Sequence, residues 1–230
     1  ESLLKLKKQN RTLIQRYISH PFLINKRKTN LRVYALVSGI NPLRIYFFKH
    51  GYLHICTAPY SLSRKSLKNQ YIHISNQPLS VHDKINYKYS YGNLNQITNC
   101  ISTNLLKKII NKRGGNYTKL YEKLIDLSIK VLISTSQNFT TKIRNAGLRD
   151  RNCFMLYGFD YLIDNKFEPR FIELNTRPGM HVDKEKVLNN FKDRLVADTY
   201  NLIGMIPFNH TNNNPLQNKT VFLEDEFQDN

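Results

Sequence analysis

CFMLYGFDYLIDNKFEPRFIELNTRPG, residues 153–179, decides the fold of this chain. The aromatic and aliphatic run from Phe154 to Ile163 predicts a strand, Asp164-Asn165-Lys166 a polar turn, and Pro169 to Leu174 a second strand. Side chains in a strand alternate faces, so Glu173 and Asn175 point the same way. Folding back at the turn brings Asp160 level with them if it shares that face. Two carboxylates and an amide oxygen form a hard oxygen set of the kind that holds Mg²⁺ against substrate phosphates. A plainer reading also fits: acidic residues flanking a hairpin are commonly turn or solvated edge residues, and the spacing E-x-N alone carries little information.

Outward from the hairpin, composition sets the frame. The 230 residues are 40% hydrophobic and include 14 Tyr and 12 Phe, enough apolar material for a folded core. Lys and Arg number 35 against 17 Asp and Glu, a balance of +18. That field favours polyanionic partners: nucleic acid, an anionic membrane or an acidic protein segment. The basic residues are scattered and no nucleic-acid recognition module is present, which argues against nucleic acid. No run approaches 18 apolar residues, so no transmembrane helix is expected and no membrane partner. Cys56, Cys100 and Cys153 match no zinc or redox spacing and read as reduced thiols of a cytosolic protein. The chain starts at Glu1, within a charged helical pattern, so the expectation is that it begins inside a larger domain.

Along the chain, residues 1–16 read as the end of a helix that His20-Pro21 breaks. A basic loop, Asn25 to Asn30, leads into strands at Leu31–Ser38, Leu43–Phe48 and Tyr52–Thr57, an antiparallel meander with turns at Gly39–Pro42 and Lys49–Gly51. Residues 61–96 read as a long connection with one short element, Tyr71–Ser75. Helices are expected at 102–112 and 117–136, the second with Leu120, Leu124, Leu127, Val131 and Leu132 on one face. A last helix is expected over 183–204, burying Val187, Phe191, Leu195 and Tyr200; residues 207–230 read as a polar and acidic tail, disordered by composition. The class is α+β.

Seven words in one order carry a family resemblance: QRYISHPFLI (15–24), KTNLRVYALV (28–37), PLRIYFFKHGYLH (42–54), HISN (73–76), CFMLYGFDYLID (153–164), IELNTRP (172–178) and NFKDRLVADT (190–199). The chain resembles the tubulin–tyrosine ligase-like family, ATP-dependent amino-acid ligases of the ATP-grasp fold. The resemblance implies an antiparallel sheet packed with helices, with residues 1–206 forming the central and C-terminal part of the domain. The family's N-terminal lobe and its glycine-containing phosphate loop would lie upstream of the first matched word.

The same resemblance implies roles. Gln15, Arg16, Tyr17 and Ile18 match the strand that lines the adenine, Lys28 a nucleotide-contacting lysine, and Ser75-Asn76 a Thr-Asn pair at the nucleotide. Arg32 matches an arginine facing the phosphates or the acceptor, a fixed cation able to stabilise charge during phosphoryl transfer. Asp160, Glu173 and Asn175 match the magnesium ligands, and Lys192 a lysine facing the amino-acid substrate. Taken alone, Lys28 and Lys192 would read as solvated surface lysines and Arg32 as a paired structural arginine.

Departures matter as much. Asn30 stands where the family usually has Asp, and His54 where it usually has the Arg that holds the incoming carboxylate or the phosphate. Ser75 replaces Thr, and Gln77, on the substrate side, replaces a frequent Tyr. The implied activity is an ATP- and Mg²⁺-dependent ligase (EC 6.3.2.-) working through an acyl phosphate. It would join glutamate to acidic tails such as that of tubulin, in the cytoplasm on the cytoskeleton, cilium or flagellar basal body included. Glycine stays open as the amino acid. Asn30, His54 and the upstream lobe also support a second reading, a catalytically inactive relative that keeps only microtubule affinity.

Overall fold

A fourteen-residue strand, β2 (Arg27–Ile40), organises the sheet. The computed structural model describes residues 15–75, 100–147, 153–180 and 186–205, with side chains at 137, 144 and 186–190 left aside. Residues 1–14 of the helix expected over 1–16, Asn76, Gln77, the side chain of Val187 and the 207–230 tail lie outside the described residues; Gln15 and Arg16, which are described, are not helical. The strand order is β5-β4-β2-β6-β7, with β1 (Leu23–Ile24) and β3 (Leu43–Phe47) also pairing with β2. The other strands are β4 (Tyr52–Ile55), β5 (Cys100–Ser102), β6 (Met155–Ile163) and β7 (Pro169–Asn175). The expected antiparallel sheet with helices is the architecture observed.

The basic loop expected over Asn25–Asn30 is mostly strand. Only Asn25 and Lys26 turn, both with positive φ (48° and 61°), closing a two-residue hairpin between Ile24 and Arg27. Positive φ at both central residues matches the right-handed twist of the flanking strands. From Arg27 to Val33 burial alternates strictly: Arg27, Thr29, Leu31 and Val33 are buried, while Lys28, Asn30 and Arg32 are half-buried. The sheet therefore has a core face and a polar face.

The chain divides into two compact units, with β2 and β6 passing from one to the other. The first holds residues 1–33, 50–128 and 159–174. Its core is Ile24, Leu31, Leu53, Ile55, Ile101, Phe159 and Ile163 with Leu106, Ile110, Leu120 and Leu124, each at most 1–2% exposed. Helix α2 (Thr103–Lys112) packs on β4 and β5, and Ser102 caps it by accepting from the Leu105 amide at 3.3 Å. Four consecutive i, i+4 positions of α3 (Tyr117–Asn145) are buried: Leu120, Leu124, Ser128 and Leu132. Leu127 and Val131, expected among them, are half-buried at the flank.

The second unit comprises 34–49, 129–158 and 175–230. Tyr34, Ala35 and Leu36 are fully buried there, and the Tyr34 ring meets Phe191 at 5.6 Å. Phe191 belongs to α4 (Lys186–Ile203), whose buried row is Lys192, Leu195 and Thr199. Tyr200, expected inside, is 46% exposed. Helix α3 runs nine residues beyond its expected end at 136, and along that stretch Ser134, Thr135, Ser136 and Thr140 donate their hydroxyls to carbonyls three or four residues back, so these polar side chains are satisfied within the helix. The segment expected at Tyr71–Ser75 is a single helical turn, α1 (Gln70–His73).

Candidate functional site

The polar face of the first unit gathers residues that the sequence scatters. Cross-strand partners in an antiparallel pair point to the same side. Asn30 lies opposite His54, and Arg32 opposite Tyr52. The Tyr52 and His54 rings meet edge-on at 4.9 Å. Alternation along β2 adds Lys28 to this face. Two of the four positions that depart from the expected family pattern, Asn30 and His54, are thus direct partners in one ladder.

Arg32 reaches onto β6 and grips Asp160 with two parallel bonds. Nε donates to Oδ1, and Nη2 to Oδ2 at 2.6 Å. The Asp160 side chain is 5% exposed and the Arg32 side chain 16%. A bidentate fork of this kind fixes a carboxylate in orientation as well as in charge.

The close approach of β4 behind Arg32 depends on Gly51. A Cβ at this position would sit 2.4 Å from the Arg32 carbonyl oxygen, and its amide donates to Thr103 Oγ1 at 3.1 Å. From the sequence Gly51 reads only as a turn residue.

Lys28 and Tyr17, assigned to one nucleotide site from two separate words, do come together. Lys28 Nζ lies 4.9 Å from the Tyr17 ring centroid, 3.5 Å from its hydroxyl, and donates to the His73 carbonyl at 2.9 Å. Tyr17 Oη and His73 Nδ1 are 2.9 Å apart, and Tyr60 packs on the same imidazole while donating to the Ser19 carbonyl. Burial lowers the Lys28 pKa. This is no solvated surface lysine. His73 and Tyr60 were missed by sequence reasoning, although His73 opens the word HISN.

Gln15, Arg16 and Ile18 form no strand. Ser75 is buried at 9% exposure.

Glu173 and Asn175 close β7, the strand beside β6. Glu173 is exposed and Asn175 half-buried. Burial does not alternate along β7: Arg170 to Glu173 are all exposed. Two residues before Glu173, the Phe171 ring meets Phe159 at 6.5 Å and Tyr161 at 5.7 Å, the face of β6 opposite Asp160. Of the three expected ligands, Asp160 is therefore the one built into the polar face, and the other two stand on the neighbouring edge strand. The donor set is chemically suited to Mg²⁺, because carboxylate and amide oxygens are its preferred protein ligands. A carboxylate has about four lone-pair sites, and the two Arg32 bonds use one on each oxygen of Asp160.

Lys192 lies in the second unit and is 6% exposed, so its solvated reading fails. The thiol of Cys56 is pushed up to about 11 by burial, against the opposing charges of Lys28 and Arg27, and is therefore unreactive near neutrality.

A family model described as the tubulin-tyrosine ligase family matches residues 1–213. The chain is 31% identical over 206 residues to mouse tubulin monoglutamylase TTLL4, covering 88% of this chain and 17% of that protein. It is 29% identical over 194 residues to mouse tubulin polyglutamylase TTLL5, covering 84% of this chain and 14% of the relative. It is 30% identical over 227 residues to tubulin glycylase 3F of Tetrahymena thermophila, covering 94% and 23%. The chain spans less than a quarter of the length of each of these relatives.

Proposed function

The chain belongs to the tubulin-tyrosine ligase family, and from that premise we propose that it is the central and C-terminal part of an ATP-dependent ligase joining glutamate to acidic protein tails, tubulin's among them. The observation that carries this reading is the polar face on which Lys28, Asn30, Arg32, His54 and Asp160 are gathered by one ladder and one ion pair. Relatives with glutamylase and glycylase names are 31%, 29% and 30% identical to this chain, so identity does not choose the amino acid. The balance of +18 suits an acidic acceptor. No helix among the described residues is long and apolar enough to cross a membrane. A cytoskeletal location in the cytoplasm follows from the proposed partner, and residues 207–230 would be an appendage to the domain.

The chemistry follows from the residues. An acceptor carboxylate takes the γ-phosphoryl group of ATP and ADP leaves; the amine of the incoming amino acid attacks the acyl phosphate, an amide forms and phosphate departs. Gln15, Arg16, Tyr17 and Ile18 offer the base their backbone groups and a ring, while Lys28, held by His73, brings its amine to the nucleotide. Ser75, Asn76 and Asn30 complete the nucleotide contacts. His54, Gln77 and Lys192 receive the amino acid. Asp160, Glu173 and Asn175 would hold Mg²⁺, which when bound neutralises charge on the phosphates.

The test is incorporation of labelled glutamate, with labelled glycine in parallel, into microtubules by the full-length protein. Glu173→Gln is expected to cut incorporation at least 100-fold; undiminished incorporation would remove Glu173 from the metal site. The second reading, an inactive microtubule-binding relative, is favoured by the Asn30–His54 pairing, which puts two departures from the family pattern in one place. Calorimetry with Mg-ATP separates the two, because an inactive binder of that kind would take up no nucleotide.

A further inference from the structure

Resting on the ligase reading above, we propose that Arg32 is a positioning residue that acts through Asp160, not a cation held in reserve for the phosphoryl group. The sequence and the ladder point in different directions here. The family resemblance made Arg32 a cation facing the phosphates or the acceptor, and taken alone it reads as a paired structural arginine; the fold spends its fork on a carboxylate 128 positions away. Two of its nitrogens, Nε and Nη2, each meet a different oxygen of Asp160.

The energetics favour a standing arrangement. The Asp160 side chain is 5% exposed, so its carboxylate has lost most of its water and is stabilised by a paired, hydrogen-bonded cation. Arg32 in turn is locked by its backbone: β4 runs against its carbonyl at the glycine where no side chain fits. A rigid arginine holding a buried carboxylate fixes the carboxylate's plane and leaves its remaining lone pairs pointing in set directions. That is the task of an outer partner of a metal ligand, whose loss costs about 10–100-fold in metal affinity. Glu173 is exposed on the edge strand, so of the two carboxylates Asp160 is the one held desolvated in a preset position. Lysine does not reproduce this, because its single ammonium lacks the planar fork whose two nitrogens meet the two oxygens in parallel.

Mn²⁺ binding to the full-length protein, followed by electron paramagnetic resonance, together with ATP affinity measured with and without divalent cation, tests this. Four forms are compared: unaltered, Arg32→Lys, Asp160→Asn and the double variant, each first shown to be folded by circular dichroism and thermal midpoint. Arg32→Gln serves as a second substitution should the lysine variant not fold. Arg32→Lys is expected to weaken Mn²⁺ about tenfold while leaving metal-free ATP affinity unchanged. In the Asp160→Asn background the same change is expected to have no further effect. Three results overturn the proposal. If Arg32→Lys weakens ATP equally with and without metal, Arg32 contacts the phosphates directly. If Mn²⁺ affinity falls in Asp160→Asn but is unchanged in Arg32→Lys, the metal site stands and Arg32 does not position it. If Asp160→Asn itself leaves Mn²⁺ unchanged, the metal reading falls and the positioning role with it.

Discussion

The two strands of one hairpin behave differently, and the contrast shows where this site is built in advance. On β6, every residue from Tyr157 to Ile163 is buried, Asp160 included. On β7, the four residues Arg170 to Glu173 are exposed. The reason is position in the sheet: β6 lies between β2 and β7, whereas β7 ends the strand order. A carboxylate on the inner strand needs a permanent partner, because desolvating an unpaired charge is costly. A carboxylate on the outer strand keeps more of its water. Asp160 is thus built into the buried part of the sheet, and Glu173 stands at its exposed edge.

The largest test of that contrast is Asp160→Ala. It leaves the Arg32 guanidinium buried without its carboxylate and is expected to lower unfolding free energy by about 3 kcal/mol in urea denaturation, the low end for broken buried pairs. Glu173→Gln is expected to change stability by less than about 0.5 kcal/mol, as surface substitutions do. Equal losses for the two would erase the distinction between the strands.

Tyr161 sharpens the inner-strand side. Its hydroxyl lies 2.6 Å from Ser128 Oγ and 3.2 Å from the Leu124 carbonyl, in a fully buried position. Burial pushes its pKa up to about 12, against the Ser128 bond. Tyr161→Phe is expected to cost about 1–2 kcal/mol in the same assay, the range for a buried hydrogen bond lost on one side.

At the turn between the strands, Asp164 accepts from the Lys166 and Glu168 amides at 2.9 Å each and from Arg170 at 3.0 Å. Burial raises its pKa, but these bonds and the Arg170 charge outweigh it, so the net shift is downward. A depressed carboxyl contributes stability that is present above the unfolded pKa of about 3.9 and is lost as pH falls through the lower folded value. Unfolding midpoints between pH 6 and 2 are expected to fall more steeply in the native sequence than in Asp164→Asn, and parallel curves would assign the acid sensitivity elsewhere. The smallest effect is expected at Lys123–Glu168, where both side chains are about two-fifths exposed. Lys123→Ala is expected to cost less than about 0.5 kcal/mol, in keeping with exposed pairs, and the difference should vanish in high salt.

The hairpin, the strands β2 to β4 and three long helices were legible because each shows its period within a dozen residues; the expected meander of those strands is not formed, since β3 and β4 both pair with β2. What was not legible has a physical cause in each case. β5 is three residues long, too short to show an alternation, and exists by pairing with β4 at Leu53–Ile101 and His54–Cys100. Arg27 and Lys28 looked like loop because their charge hides the alternation; Arg27 is 5% exposed and donates to the Cys56 carbonyl. Lys192 looked solvated for the same reason. Tyr200 looked buried because its spacing from Phe191 and Leu195 was read as one face, whereas the buried row runs through Lys192, Leu195 and Thr199.

By itself, then, the sequence determined the α+β class, the order of the matched words and so the family, and the identity of the residues available to a nucleotide site. Those follow from local periodicity and residue chemistry, which a linear string contains in full. Only the tertiary structure decided that Asn30 faces His54, that Lys28 joins Tyr17 and His73, and that Arg32 grips Asp160. Each depends on strand register or chain reversal across tens to more than a hundred residues, where a shift of one position turns a side chain to the other face.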